Sequence, residues 1–178
     1  LNLNFNRVNF TWQKANDGWQ VGFDARAERF APPVSMARMQ VVDRDLPVYT
    51  YAQVRGTEDW TVSQAALNKT GSRWLPVRRP DLYAGDVFQT LARAQGVDLP
   101  SPEVLDGVPQ GQVLVRHRSD GLPELLRLMM KYSTNMTAET VGMAASQMRD
   151  IKNYAGSAAA MGDWLRASMG GTAAHFVD

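Results

Sequence analysis

The sequence predicts an α+β fold in which strands come first and helices follow. Three observations carry this expectation. Apolar and polar residues alternate through Val8, Phe10 and Trp12, and again through Trp19, Val21 and Phe23. Between the two runs, Asn16-Asp17-Gly18 offers the positive φ angles of a hairpin turn. After Pro80 the apolar spacing lengthens to three and four residues, the period of a helix packed on one side.

Taken in order, Leu1, Leu3 and Phe5 belong to a strand-like run whose phase slips by one before Val8, so a bulge or bend is expected near Asn6-Arg7. Residues 28–34 form a loop, because Pro32-Pro33 cannot join a ladder. Residues 39–42, 47–54 and 60–64 are further strands, rich in Val, Thr and Tyr. The first helix starts at Pro80-Asp81, places Leu82, Val87, Phe88 and Leu91 on one face, and stops at Gly96. A loop follows around residues 101–111, then one short strand over 112–116. A second helix begins near Ser119 or Asp120 and buries Leu122, Leu125, Leu126 and Met129. A third begins near Asn135, and a fourth runs from Ser157 to a stop at Gly170-Gly171. The methionines around 129–136 read as core filler.

The composition excludes several classes. The 178 residues are 44% hydrophobic and 21% charged, a globular balance sufficient for one domain or two small ones. A net charge of +1 with the two signs interspersed argues against a nucleic-acid groove. With no cysteine there is neither a disulfide framework nor a thiolate metal site. No stretch approaches the ~18 consecutive apolar residues of a membrane span. The chain opens inside a strand-like run, without an initiator Met or a signal pattern, and reads as a piece of a longer protein.

Two triplets raise a question of order. Ser133-Thr134-Asn135 reads as S-x-N and Lys69-Thr70-Gly71 as K-T-G, both motifs of penicillin-recognising enzymes. In those enzymes K-T-G follows S-x-N, whereas here it precedes it. Ser133 falls between two apolar helices, where a hydroxyl and a carboxamide can face a cleft; alternatively, Ser133 or Asn135 caps the next helix. Asn68-Lys69-Thr70-Gly71 reads as a surface turn in which Asn68 and Gly71 take unusual φ values. Asn9, Asn68 and Asn135 each open an N-glycosylation tripeptide of the kind chance supplies, with a secreted glycoprotein as the reading they would support. His117 and His175 have no ligand-spaced companions, so no metal or other cofactor is expected. The chain contains no Ser-x-x-Lys and no Gly-x-Ser-x-Gly, so a serine nucleophile is not found here.

The segment LPELLRLMMKYSTNMTAETVG, residues 122–142, carries Lys131, Ser133, Asn135, Ala138 and Glu139. It resembles the D-alanyl-D-alanine carboxypeptidase/endopeptidase family of class C low-molecular-mass penicillin-binding proteins, the peptidase S13 type, where a helix leads into K-x-S-x-N and an A-E helix start. Upstream, LPVRRPDLYAGDVFQTLARAQGVDLP at 75–100 resembles the family's L-P-V-x-x-P-x-L-Y-A segment, and LNLNFNRVNFTW at 1–12 its returning accessory strand. Many members have Asp where Thr134 stands. The resemblance implies a middle piece. Residues 1–108 would be a β-rich accessory-domain portion with one helix near 81–95. Residues 109–178 would be part of the helical lobe of a β-lactamase-like serine DD-peptidase domain, ending at Asp178 where a further turn begins. Ser133-Thr134-Asn135 is then the working motif, and Lys69-Thr70-Gly71 a coincidence.

The family's chemistry is acyl transfer on peptidoglycan peptides ending in D-Ala-D-Ala. The resemblance implies that a serine outside this chain attacks the carbonyl between the two D-alanines. Ser133 would relay a proton to the departing nitrogen, and Asn135 would hold the substrate carbonyl and orient the absent lysine, with Lys131 assisting in substrate binding. β-Lactams would act as inhibitors and the setting would be periplasmic or cell-surface. The helical part would expose apolar surface and associate with the missing portions or with another copy. The alternative is a noncatalytic extracytoplasmic binding or structural module in which Ser133 is merely a cap.

Overall fold

The computed structural model describes residues 2–107 and 110–170. The chain divides into two compact units, Leu1–Gln110 and Gly111–Asp178.

The first unit holds two three-stranded sheets and one long helix. Strands β1 (Arg7–Ala15) and β2 (Gly18–Asp24) form the expected hairpin, but only Gly18 takes a positive φ, +137°. Strand β6 (Thr70–Pro76) pairs on the other side of β1, giving the antiparallel order β2-β1-β6. The second sheet has the order β3-β5-β4, from Ala37–Val42, Thr57–Ser63 and Tyr49–Val54, with β3 parallel to β5. Helix α1 (Pro80–Ala94) follows, and Gly96 closes it at φ +79°.

One core serves both sheets and α1. Val8, Phe10 and Phe23 of the first sheet, Trp60 and Val62 of the second, Leu75 and Val77 from β6 onward, and Tyr83 and Val87 of α1 are all buried in it. The Phe10 ring stacks on Trp12 at 5.1 Å between centroids, within the range for favourable aromatic pairs. Leu75 and Val77 are buried together because alternate side chains of an extended segment face one side. Tyr83 is fully buried, and its hydroxyl donates to the Arg7 carbonyl at 3.0 Å, tying α1 to the start of β1.

Two buried carboxylates hold α1 in place. Asp86 accepts from the backbone N–H of Ser35 at 2.7 Å and of Met36 at 3.2 Å, and from the Ser35 hydroxyl. Glu58 of β5 accepts from the N–H groups of Arg78 and Arg79, both at 2.7 Å, just where α1 begins. Those donors have no partner inside the helix, so a carboxylate there satisfies them and favours the positive end of the helix.

Several expectations are corrected. The first strand starts at Arg7: Asn4, Phe5 and Asn6 form a left-handed turn, closed by Asn6 N–H to the Leu3 carbonyl at 2.9 Å, which supplies the expected bend. On α1, Phe88 and Leu91 are exposed and the buried face is Tyr83, Asp86 and Val87, because the polar Asp86 is drawn inward by its donors. Residues 112–116 are no strand and are exposed; among the described residues no strand pairs with them, and a strand without a ladder leaves its backbone groups to water.

The second unit contributes α2 (Leu122–Tyr132), α3 (Asn135–Gln147) and α4 (Tyr154–Met169). Helix α2 starts after Gly121 rather than at Ser119 or Asp120, and none of its residues is fully buried: Leu122 and Met130 are exposed, and Leu125, Leu126 and Met129 only half-buried. Three helices alone bury too little surface to cover every apolar stripe. Helix α4 begins three residues earlier than expected, capped by Asn153, whose side-chain oxygen accepts from Gly156 N–H at 2.7 Å. Helices α3 and α4 meet through small residues, with Ser146 and Ser157 sharing a buried hydrogen bond of 2.7 Å. Gly170 ends α4 at φ +66°. Gly171, His175 and Asp178 lie outside the described residues.

Candidate functional site

Lys131 in the last turn of α2, Ser133 on the two-residue link Ser133-Thr134, and Asn135 at the start of α3 lie together at the α2–α3 junction. Ser133 closes α2 in the left-handed conformation, φ 51° and ψ 49°. Its N–H and that of Thr134 both return to the Met129 carbonyl, the latter at 3.2 Å, so the last turn of α2 is satisfied by backbone. Thr134 is then the N-cap of α3: its carbonyl accepts from Thr137 at 3.1 Å and Ala138 at 3.2 Å, with no bond from its side chain. Asn135 is the first residue of α3.

This geometry decides against the capping role for Ser133 and Asn135. Ser133 sits at the C-terminus of α2, where a hydroxyl caps nothing in α3, and the N-cap position belongs to Thr134. Both side chains are exposed. A left-handed residue here is usually glycine, since a Cβ costs about 1–2 kcal/mol in that conformation. Ser133 shares this positive φ with Asn4, Phe5, Asn6, Glu28, Arg55 and Asp150 among the described residues. Lys131, also exposed, places its ammonium 5.2 Å from the Tyr132 ring centroid. The link thus gathers a hydroxyl, a carboxamide and a cation within five residues, at the negative end of one helix and the positive end of the next. A hydroxyl can donate and accept a proton, a carboxamide can donate to one group while accepting from another, and the cation can attract a carboxylate.

The K-T-G triplet is in a different unit and has a structural explanation. It is not a turn of unusual φ: Thr70 and Gly71 begin β6, and neither Asn68 nor Gly71 has a positive φ. Gly71 pairs with Trp12, whose indole lies over it and donates to the Asn68 carbonyl at 3.1 Å. A Cβ on Gly71 would stand 2.4 Å from Trp12 Cζ2, so the glycine makes room for the ring. The Lys69 carbonyl accepts from Lys14 N–H at 2.6 Å. Asn9 is buried and donates to Asp24 at 3.0 Å, leaving no space for a glycan there. His117 is exposed. Among the described residues no group of three or more acidic, His or Cys side chains could hold a metal. Among them, too, no helix is long and apolar enough to cross a membrane.

Glu58 and Asp86 did not stand out as special in the sequence. A signal existed for Glu58: in β5 it shares the phase of Trp60 and Val62, both buried. Their work is structural.

Comparison with known proteins bears on these observations. A crystal structure of penicillin binding protein 4 (dacB) from Haemophilus influenzae, complexed with a novel β-lactam, superimposes with a TM-score of 0.61 at 21% identity, over 94% of this chain and 40% of that one. That likeness establishes the mixed α+β fold. The D-alanyl-D-alanine carboxypeptidase DacB of Haemophilus influenzae is 37% identical over 71 residues, which are 39% of this chain and 15% of that protein. The chain therefore spans well under half the length of either relative. The model of the D-Ala-D-Ala carboxypeptidase 3 (S13) family matches residues 48–170, which include the α2–α3 link, and the chain belongs to that family.

Proposed function

We propose that this chain is a middle part of a serine-type D-Ala-D-Ala carboxypeptidase/endopeptidase that cleaves peptidoglycan stem peptides through an acyl-enzyme. The observation that carries the reading is the exposed, left-handed Ser133 followed by Asn135 on the α2–α3 link of a family member. The nucleophile is a serine elsewhere in the full-length protein, since no Ser-x-x-Lys occurs in these 178 residues. It attacks the D-Ala carbonyl, backbone donors hold the oxyanion, and water releases the acyl group. Ser133 passes a proton to the departing D-Ala nitrogen, because a hydroxyl can accept from one side and donate on the other. Asn135 holds the substrate's peptide carbonyl through its amide, and Lys131 attracts carboxylate at the rim. β-Lactams imitate the scissile amide, and a related structure holds one. Such a substrate sets the protein outside the inner membrane. The half-buried and exposed apolar residues of α2 are surface for the missing portions or for a second copy.

The test is fluorescent-penicillin labelling of the full-length protein. Asn135→Ala is expected to slow acylation by at least ~10²-fold, the scale for losing a positioned polar group in an acyl-transfer site. Lys69→Ala is expected to leave it unchanged. Damage from Lys69→Ala with indifference to Asn135→Ala would reverse the assignment and favour a noncatalytic role for the link. The isolated 178-residue chain is expected to gain no drug mass on long incubation; an adduct mapped to Ser133 would make it the nucleophile.

A further inference from the structure

The sheet orders leave β4 and β6 as edges, while β2 and β3, at the opposite edges, approach one another. The two sheets share one core yet no ladder joins β4 to β6. Side chains cross that open seam instead. Arg73 of β6 lies over the Tyr49 ring at 5.4 Å, and Arg78, just past β6, over the Tyr51 ring at 4.8 Å. The registers explain why. Arg73 pairs with Phe10, and Tyr49 and Tyr51 pair with Val62 and Trp60, so all of them lie on the core faces of their sheets.

Both arginines are exposed, and among the described residues neither has a carboxylate within 4.0 Å. Asp81 takes the Arg79 guanidinium, and Glu58 accepts the two backbone N–H groups through Oε1, while its buried Oε2 makes no hydrogen bond and is not within 4.0 Å of Arg73 or Arg78. A guanidinium held near a ring by cation–π attraction still has N–H donors to offer, and its planar fork fits a carboxylate with two parallel hydrogen bonds. Tyr49 and Tyr51 are two residues apart on one strand, about 6.6 Å, which is also the spacing of alternate side chains in any extended peptide. As an edge, β4 carries unpaired backbone groups able to receive another strand.

We propose that the open seam between β4 and β6 binds an extended acidic peptide, whose carboxylates at alternate positions meet Arg73 and Arg78 while its backbone runs along β4. This site lies in the first unit and does not depend on the role given to Ser133.

The experiment is fluorescence anisotropy of the 178-residue chain with a labelled Thr-Glu-Val-Glu-Val-Thr peptide at low salt. The Gln-for-Glu version of the peptide is expected to bind at least ~10-fold more weakly, and Arg73→Gln/Arg78→Gln to weaken the acidic peptide by a similar factor. Arg29→Gln/Arg93→Gln removes the same charge elsewhere and is expected to change affinity less than about twofold. If the double Gln variant loses its sheet signal in circular dichroism, Arg73→Lys/Arg78→Lys decides: it keeps the charge and loses the planar fork, and is expected to bind at least about threefold more weakly. No binding of the acidic peptide, equal binding of both peptides, or undiminished affinity in the folded Arg73 and Arg78 variants would overturn the proposal. So would competition by phosphatidylglycerol vesicles as effective as by unlabelled acidic peptide, which would mean a general polyanion surface.

Discussion

Gly71→Ala tests whether the K-T-G triplet is there for packing or for chemistry. The added Cβ would stand 2.4 Å from Cζ2 and 2.8 Å from Cε2 of Trp12. Trp12 cannot simply swing aside: its Nε1 is bonded to the Asn68 carbonyl and its ring stacks on the buried Phe10. Forcing a methyl into such a contact costs about 1–3 kcal/mol. Replacing Gly by Ala inside a strand returns about 0.5–1 kcal/mol of backbone entropy. The clash is the larger effect, and a net loss of about 1 kcal/mol is expected from the two together. Urea unfolding of the 178-residue chain, followed by tryptophan fluorescence, reads this as a lower midpoint for the first unit. In a Trp12→Ala background the clash is absent, so Gly71→Ala should raise the midpoint instead. An unchanged or higher midpoint in the wild-type background would refute the argument, as would the same loss in both backgrounds.

Other outcomes follow from the same geometry. Ser133→Gly relieves the left-handed serine and should stabilise the helical unit by up to about 1 kcal/mol while slowing acylation in the full-length protein; a destabilised variant would contradict the strain. Asp86→Asn turns an NH₂ donor toward the Ser35 donors and should destabilise the first unit by about 1–3 kcal/mol in urea unfolding, and a neutral result would mean that the pin is dispensable. The Arg79 guanidinium holds the Asp81 carboxyl below its usual range through their hydrogen bond. A depressed pKa adds stability that is present above the unfolded value and is lost as pH falls through the folded one. Asp81→Asn should therefore lower the melting temperature slightly at pH 7, with the difference fading below about pH 4; the pair is partly exposed, so the effect is small, and a difference that grows in acid would have the wrong sign.

What local chemistry governs was legible in the sequence. The alternation of Val8, Phe10 and Trp12 against Trp19, Val21 and Phe23 set the β1–β2 hairpin, and Pro80 and Gly96 bracketed α1. The break between Tyr132 and Asn135 marks the α2–α3 link, and the residues around it resemble the S13 motif in sequence alone. These features depend on near neighbours: strand and helix periods, proline's fixed φ, glycine's tolerance of positive φ.

The rest depended on distant partners. Strand β6 was hidden because Asn68 to Gly71 has the composition of a turn, and only pairing with β1 under the Trp12 ring makes it a ladder. Residues 112–116 have a strand's composition, and without a neighbouring strand among the described residues they form none. Asp86 reads as a surface residue of α1 until the Ser35 and Met36 amides, fifty positions away, draw it inside. The sequence by itself determined which segments could be strands or helices and which residues carry the resemblance to the S13 family. Only the tertiary structure decided that Asp86 turns inward and that Gly71 makes room for an indole, because each is set by contacts whose partners the local sequence does not contain.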